Sequence, residues 1–204
     1  MDTPNSGSQA QETELIASIR QGERNALREL YLRYFDRLYS MVYHQVGKNK
    51  QVAEDITQET FVEMLKSIDK FRGRSKFYTW LCSIAYHRIA DFYRRQERQE
   101  KHGIKPLDIE SLENNYTLSS EPDNPEIAEF KYASSTVEEA LFRLPLDYRQ
   151  VLIFKYVEEM SVEEICQITQ RSTKSIEGLL TRGRGALRKI LGEQGTGLSK
   201  KDKK

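Results

Sequence analysis

The chain has 204 residues, 38% hydrophobic and 31% charged, with 32 Lys and Arg against 31 Asp and Glu. That content supports one moderate core or two small ones, and two compact units are expected. Its two cysteines, Cys82 and Cys166, lie far apart inside apolar helical patterns, which excludes a disulfide framework and a cysteine pair at metal-binding spacing.

The N-terminal stretch MDTPNSGSQAQETE is polar and acidic, and no apolar run approaches a membrane span of about 20 residues. A soluble, cytoplasmic chain with no membrane insertion is expected. From Glu12 to about Arg98 nearly everything reads as helix. Leu15, Ile19, Leu27, Leu30, Tyr34, Leu38, Met41 and Val42 recur at spacings near three and four, interrupted around Gly22. After a turn at Gly47 to Lys50, a second helix points Ile56, Thr60, Met64, Ile68 and Phe71 inward and Glu54, Asp55, Gln58, Glu59 and Val62 outward. A short basic loop, RGRSK, leads to a third helix from about Phe77 to Arg98. One arc of it is Leu81, Ile84, Ala85, Ile89 and Phe92; a more polar arc carries Thr79, Ser83, His87 and Arg94, with Trp80 at its border.

Net charge is close to zero only because opposite blocks cancel. Residues 70 to 101 hold nine Lys/Arg against three Asp/Glu, residues 107 to 129 hold seven acids and no base, and residues 171 to 189 hold six bases against Glu177. Rings on a basic helix beside a basic loop suit unpaired bases, because stacking one base on an aromatic ring contributes about 1 to 3 kcal/mol whatever its identity. The segment 99–129 is rich in Pro, Asn, Ser, Asp and Glu without an apolar period, and reads as a flexible acidic linker.

Beyond it, two helices are separated at Pro145, a residue suited to an early helix position. SVEE is a capping box opening a short helix through Thr169. Ser172 can cap the last helix, expected to end near Leu191 before a disordered basic tail, 193–204. The two helices joined by QRS have helix-turn-helix dimensions. The second has a dry arc, Ile176, Leu179, Leu180, Gly183, Ala186, Leu187 and Ile190, opposite a polar arc of Lys174, Glu177, Gly178, Thr181, Arg182, Gly185 and Arg188, with Arg184 at its edge. Glycines inside that helix cost about 1 kcal/mol each relative to alanine, so a close approach is expected, by a neighbouring helix at Gly183 or by DNA at Gly178. The residues alone leave three readings open: a DNA-binding chain whose helix-turn-helix draws further binding free energy from elsewhere, a self-sufficient helix-turn-helix repressor, or a nucleic-acid-processing enzyme. The last lacks a phosphate loop or a ligand cluster, since His44, His87 and His102 are scattered.

The motifs EDITQETFVEMLKSIDKFRGRSKFYTWLCSIAYHRIADFYRR and, after the acidic segment, LPLDYRQVLIFKYVEEMSVEEICQITQRSTKSIEGLLTRGRGALRKIL resemble in this order the extracytoplasmic-function sigma factors of the sigma-70 family. The resemblance implies an all-α protein of two small helical domains, region 2 over 12–98 and region 4 over 130–192. It implies core RNA polymerase and promoter DNA as partners, an anti-sigma factor as a possible further one, and neither catalysis nor a cofactor or metal. In DITQE it makes Asp55, Gln58 and Glu59 contacts to polymerase. It assigns unpaired minus-10 DNA to Phe71, Arg72, Arg74, Lys76, Trp80, Ser83, His87 and Arg94, with Phe71, Lys76 and His87 in a base pocket. It assigns duplex minus-35 DNA to Ser172, Thr173, Lys174, Glu177, Gly178, Thr181, Arg182 and Arg184. His87 stands where relatives often have Asn or Arg, which leaves the preferred minus-10 base open, and Glu177 stands where a basic residue is common, so an unusual minus-35 sequence is expected.

Overall fold

The structure is a computed structural model that describes residues 6–101 and 136–198. Most of the expected acidic linker, the first residues of region 4 and the last six residues lie outside that range. Among the described residues every regular element is helical. Two compact units divide the chain, Met1–Phe92 with Cys166–Gln170 and Tyr93–Ile165 with Arg171–Lys204.

The N-terminal helices are α1 (Ser6–Arg20), α2 (Arg24–Gln45), α3 (Lys50–Ser67), a 3-10 turn (Ile68–Lys70) and α4 (Phe77–Lys101). The break at Gly22 is a left-handed turn, φ 85°, a conformation that costs glycine nothing. Between α2 and α3 both Gly47 and Lys48 have positive φ, and the Asn49 side chain accepts the Val52 N–H at 3.0 Å as the N-cap of α3. Leu30, Leu38, Met41, Val42, Met64, Phe77, Leu81, Ala85 and Ile89 make the centre of this core; each large member contributes about 1.5–3 kcal/mol. Thr57 and Thr60 are also buried because their hydroxyls donate to the Ala53 and Ile56 carbonyls at 2.6 and 2.7 Å, which removes the cost of an unpaired polar group.

Several positions depart from the periodicity: Ile84 and Phe92, expected on the apolar arc of α4, are only half-buried. Thr79, expected on the polar arc of α4, is buried, since it stands in the first turn where the helix enters the aromatic cluster. Phe71, expected inside, is half-buried. Helix α4 continues to Lys101, where a Glu97–Lys101 pair at 2.8 Å spans its last turn, so the first three residues expected of the linker are helical.

The C-terminal helices are α5 (136–142), α6 (Leu146–Leu152), α7 (Val162–Thr169) and α8 (Thr173–Leu198). Pro145 is the N-cap residue of α6. Arg149 donates to the Phe142 carbonyl at 3.2 Å, tying the end of α5 to α6. Helix α6 passes into one π-helical turn, Ile153–Val157. The capping box of α7 is complete: the Ser161 N–H reaches Glu164 Oε2 at 2.9 Å and the Glu164 N–H reaches Ser161 Oγ at 3.1 Å. Gln170, in the turn before α8, is left-handed with φ 56°. An Arg171–Asp147 pair at 2.9 Å fixes that turn to α6. Ile176, Leu179 and Leu180 are buried, and α8 runs on to Leu198, past the expected helix end near residue 191.

Candidate polymerase and nucleic-acid interfaces

On α3 the period of 3.6 residues that buries Ile56, Thr60 and Met64 leaves Asp55, Gln58, Glu59 and Val62 exposed together. With Glu63, Lys66 and Arg88 of α4 they line an open groove of about 400 Å³. Arg88 lies 3.0 Å from Glu63 and 3.9 Å from Glu59. Gln51 donates to Asp55 at 3.1 Å and Gln58 to Glu54 at 3.3 Å, so the carboxylates are held along the helix and face outward. An acidic rim with one apolar residue, Val62, half-exposed at 51%, is suited to a cationic protein partner.

The loop between the 3-10 turn and α4 carries the cations. Arg72, Arg74 and Lys76 are exposed, and Gly73 supplies the left-handed bend, φ 67°, with no atom within 4 Å of where a Cβ would stand. The Lys76 carbonyl accepts the Trp80 N–H at 3.1 Å and so starts α4. Phe71 packs on Trp80 and Phe77, ring centroids 5.0 and 5.5 Å away, and Trp80 lies 5.6 Å from Phe77. Phe77 is buried, whereas Phe71 and Trp80 are half-exposed. The result is an aromatic ledge, supported from beneath and open above, beside three cations. His87 and Arg94 are exposed further along α4, with the His87 ring edge-on to Tyr86 at 5.5 Å. Ser83 differs: its hydroxyl donates to the Trp80 carbonyl at 2.6 Å, so it faces a ligand only as an acceptor.

In the C-terminal unit Thr173, Lys174, Glu177, Thr181, Arg182 and Arg184 are exposed, opposite the buried stripe of α8. Ser172 Oγ accepts the Ser175 N–H at 3.3 Å, the capping role expected of it. A Cβ on Gly178 would meet Arg182 Nη1 at 3.3 Å; the missing side chain leaves room for that guanidinium to lie along the helix. Arg184 donates to Tyr156 Oη at 3.1 Å and to Thr181 Oγ1 at 3.3 Å.

The periodicity did not single out Arg88 or Tyr156. Arg88 was legible in principle, as a cation on α4 facing the Glu59/Glu63 pair of α3. Tyr156 was not, because a π-helical turn places it. Among the described residues no group of His, Cys, Asp or Glu is arranged to hold a metal, and no helix is long and apolar enough to cross a membrane.

Comparison with known proteins agrees with this geometry. The pattern of Sigma-70 region 2 matches residues 30–99 and that of Sigma-70 region 4 matches residues 134–187. The chain is 31% identical to the ECF RNA polymerase sigma factor SigW of Bacillus subtilis, over 86% of this chain and 94% of that one. It is 27% identical to the ECF RNA polymerase sigma-E factor of Haemophilus influenzae, over 83% and 89%. Its fold is shared with CnrH in complex with the cytosolic domain of CnrY, TM-score 0.63 at 21% identity over 90% of this chain and 98% of that one. It is shared also with RpoE in complex with the anti-sigma factor NepR from Bartonella quintana, TM-score 0.60 at 20% identity over 81% and 96%. An all-helical protein with a cationic aromatic ledge and a helix-turn-helix is thus placed among transcription-initiation factors. The chain belongs to the extracytoplasmic-function group of the sigma-70 family and is an RNA polymerase sigma factor.

Proposed function

We propose that Asp55, Gln58 and Glu59 seat the chain on core RNA polymerase, that Phe71, Arg72, Arg74, Lys76, Trp80, Ser83, His87 and Arg94 take unpaired minus-10 DNA, and that α8 reads the minus-35 duplex. Region 2 spans 12–98 and region 4 spans 130–192. One observation carries this reading: α3 presents the exposed Asp55, Gln58 and Glu59, and in the same small unit the half-exposed, touching rings of Phe71 and Trp80 follow one another across a loop of exposed cations, Arg72, Arg74 and Lys76. A base leaving the duplex costs a few kcal/mol, which one or two stacking contacts offset.

In region 4, Thr173, Lys174, Glu177, Gly178 and Thr181 open α8 toward base edges, with Ser172 capping it, and Arg182 and Arg184 meet phosphate. Glu177 is repelled by phosphate and is suited to accept from cytosine N4. The chain acts in the cytoplasm and catalyses nothing itself. An anti-sigma protein is a further partner, as for the RpoE relative whose complex shares this fold. The test is co-purification with core polymerase. The triple alanine variant at Asp55, Gln58 and Glu59 should keep its helical circular dichroism and lose core polymerase; a variant that still co-purifies rejects the docking assignment. Wild-type chain that shifts a promoter fragment without core polymerase points instead to a repressor.

A further inference from the structure

Arg20 is the last residue of α1 and precedes the segment 30–99 matched by the region 2 pattern. Its guanidinium nevertheless reaches the base of the cationic loop. Nη2 lies 3.1 Å from the Ile68 carbonyl and 2.5 Å from the Phe71 carbonyl. Those two oxygens stand at the start and end of the 3-10 turn, where a helix runs out of its own donors. The Ile68 carbonyl also receives the Phe71 N–H at 3.2 Å. A guanidinium is a planar fork of five donors with no acceptor, and a cation is favoured at a helical C-terminus. One side chain therefore ties α1 to the residue whose ring forms half of the ledge with Trp80.

The nearby carboxylate does not explain the arrangement. Arg20 Nε lies 4.0 Å from Asp69, whose side chain is 85% exposed, and such exposed pairs contribute little. The carbonyl bonds are the working contacts.

We infer that Arg20 is a positioning residue for promoter opening, a clamp that holds the start of the 71–76 loop so that Phe71 and Trp80 are already placed to receive an unpaired base. The inference rests on the reading of the ledge given above. It makes α1 part of the DNA-capturing apparatus without touching DNA.

The chain holds a single tryptophan, Trp80, so the clamp has a built-in reporter. In the full chain, Arg20→Ala should red-shift Trp80 emission and raise its quenching by acrylamide. With core polymerase bound as tightly as by wild type, the same variant should lower permanganate reactivity of minus-10 thymines about tenfold, the scale of weakening one base-stacking contact. Arg20→Lys, a point donor, should fall between, and Asp69→Asn should match wild type. Unchanged Trp80 quenching in Arg20→Ala overturns the clamp, as does lost opening with an unperturbed tryptophan. If Arg20→Ala loses its helical signal, Arg20→Lys decides by the same two readings. Absence of reactive thymines with the wild-type chain would count against the promoter reading, while the tryptophan measurement would still judge the clamp.

Discussion

Gly183 of α8 faces Leu152 of α6 so closely that a Cβ added there would fall 3.3 Å from Leu152 Cδ1 and 3.4 Å from Tyr148 Cβ. The glycine is what lets the long helix lie against its neighbour. Gly185, two residues on, has nothing within 4 Å of the same position. Alanine gains about 1 kcal/mol of helix propensity at either site, but at Gly183 overpacking costs about 1–3 kcal/mol. Gly185→Ala should therefore melt above wild type and Gly183→Ala below it, measured by thermal circular dichroism. The reverse order would show that α6 yields.

Tyr34 donates its hydroxyl to the Glu12 carboxylate. Burial first, and then that carboxylate, push the phenol well above its ordinary 10.0. Because the folded pKa is raised, its contribution to stability is whole below about pH 10 and falls away as the pH climbs above it. Absorbance at 295 nm should show Tyr34 ionising after ordinary tyrosines. Tyr34→Phe should remove that late step and give a shallower alkaline loss of stability.

The reciprocal pair Ser161 and Glu164 satisfies two amides at the start of α7. Ser161→Ala should cost about 1 kcal/mol in urea unfolding, and Glu164→Gln less, since glutamine keeps an acceptor for the Ser161 N–H. Equal losses would mean that charge rather than capping matters here.

Arg184 is held by Tyr156 and Thr181 before any DNA arrives. Arg184→Ala should weaken promoter binding by the polymerase-bound chain and lower the salt slope by about 1. Tyr156→Phe should weaken it with the slope kept. The double variant should lose less than the sum, because the tyrosine acts through the arginine. Strict additivity would sever the two.

Much of this architecture was legible in advance. A 3.6-residue period fixed which faces of α3 and α8 are buried, as Ile56, Met64, Ile176 and Leu179 illustrate, and the capping residues Ser161 and Ser172 act as their positions suggested. Charge blocks pointed to the cationic loop because its cations lie close in sequence. Other features depend on contacts at long range. Arg20 meets Phe71 across 51 positions and Arg184 meets Tyr156 across 28, and no local pattern encodes either. Thr79 misled because periodicity assigns a helix face but not what the first turn abuts. The packing of Phe71 against Trp80 was likewise beyond a pattern that treats each aromatic as either buried or exposed; here both rings are half-exposed and in contact.

The π-helical turn at Ile153–Val157, closed by the Glu158 N–H on the Ile153 carbonyl at 3.0 Å, contains one residue more than an α-helical turn would need. Loss of a single residue there would restore ordinary helical pairing and swing Tyr156 by about 100° around the axis, away from Arg184. The spot is a built-in adjustment point: shortening the polypeptide by one unit would release the Arg184 guanidinium from its tether while every flanking helix kept its sequence.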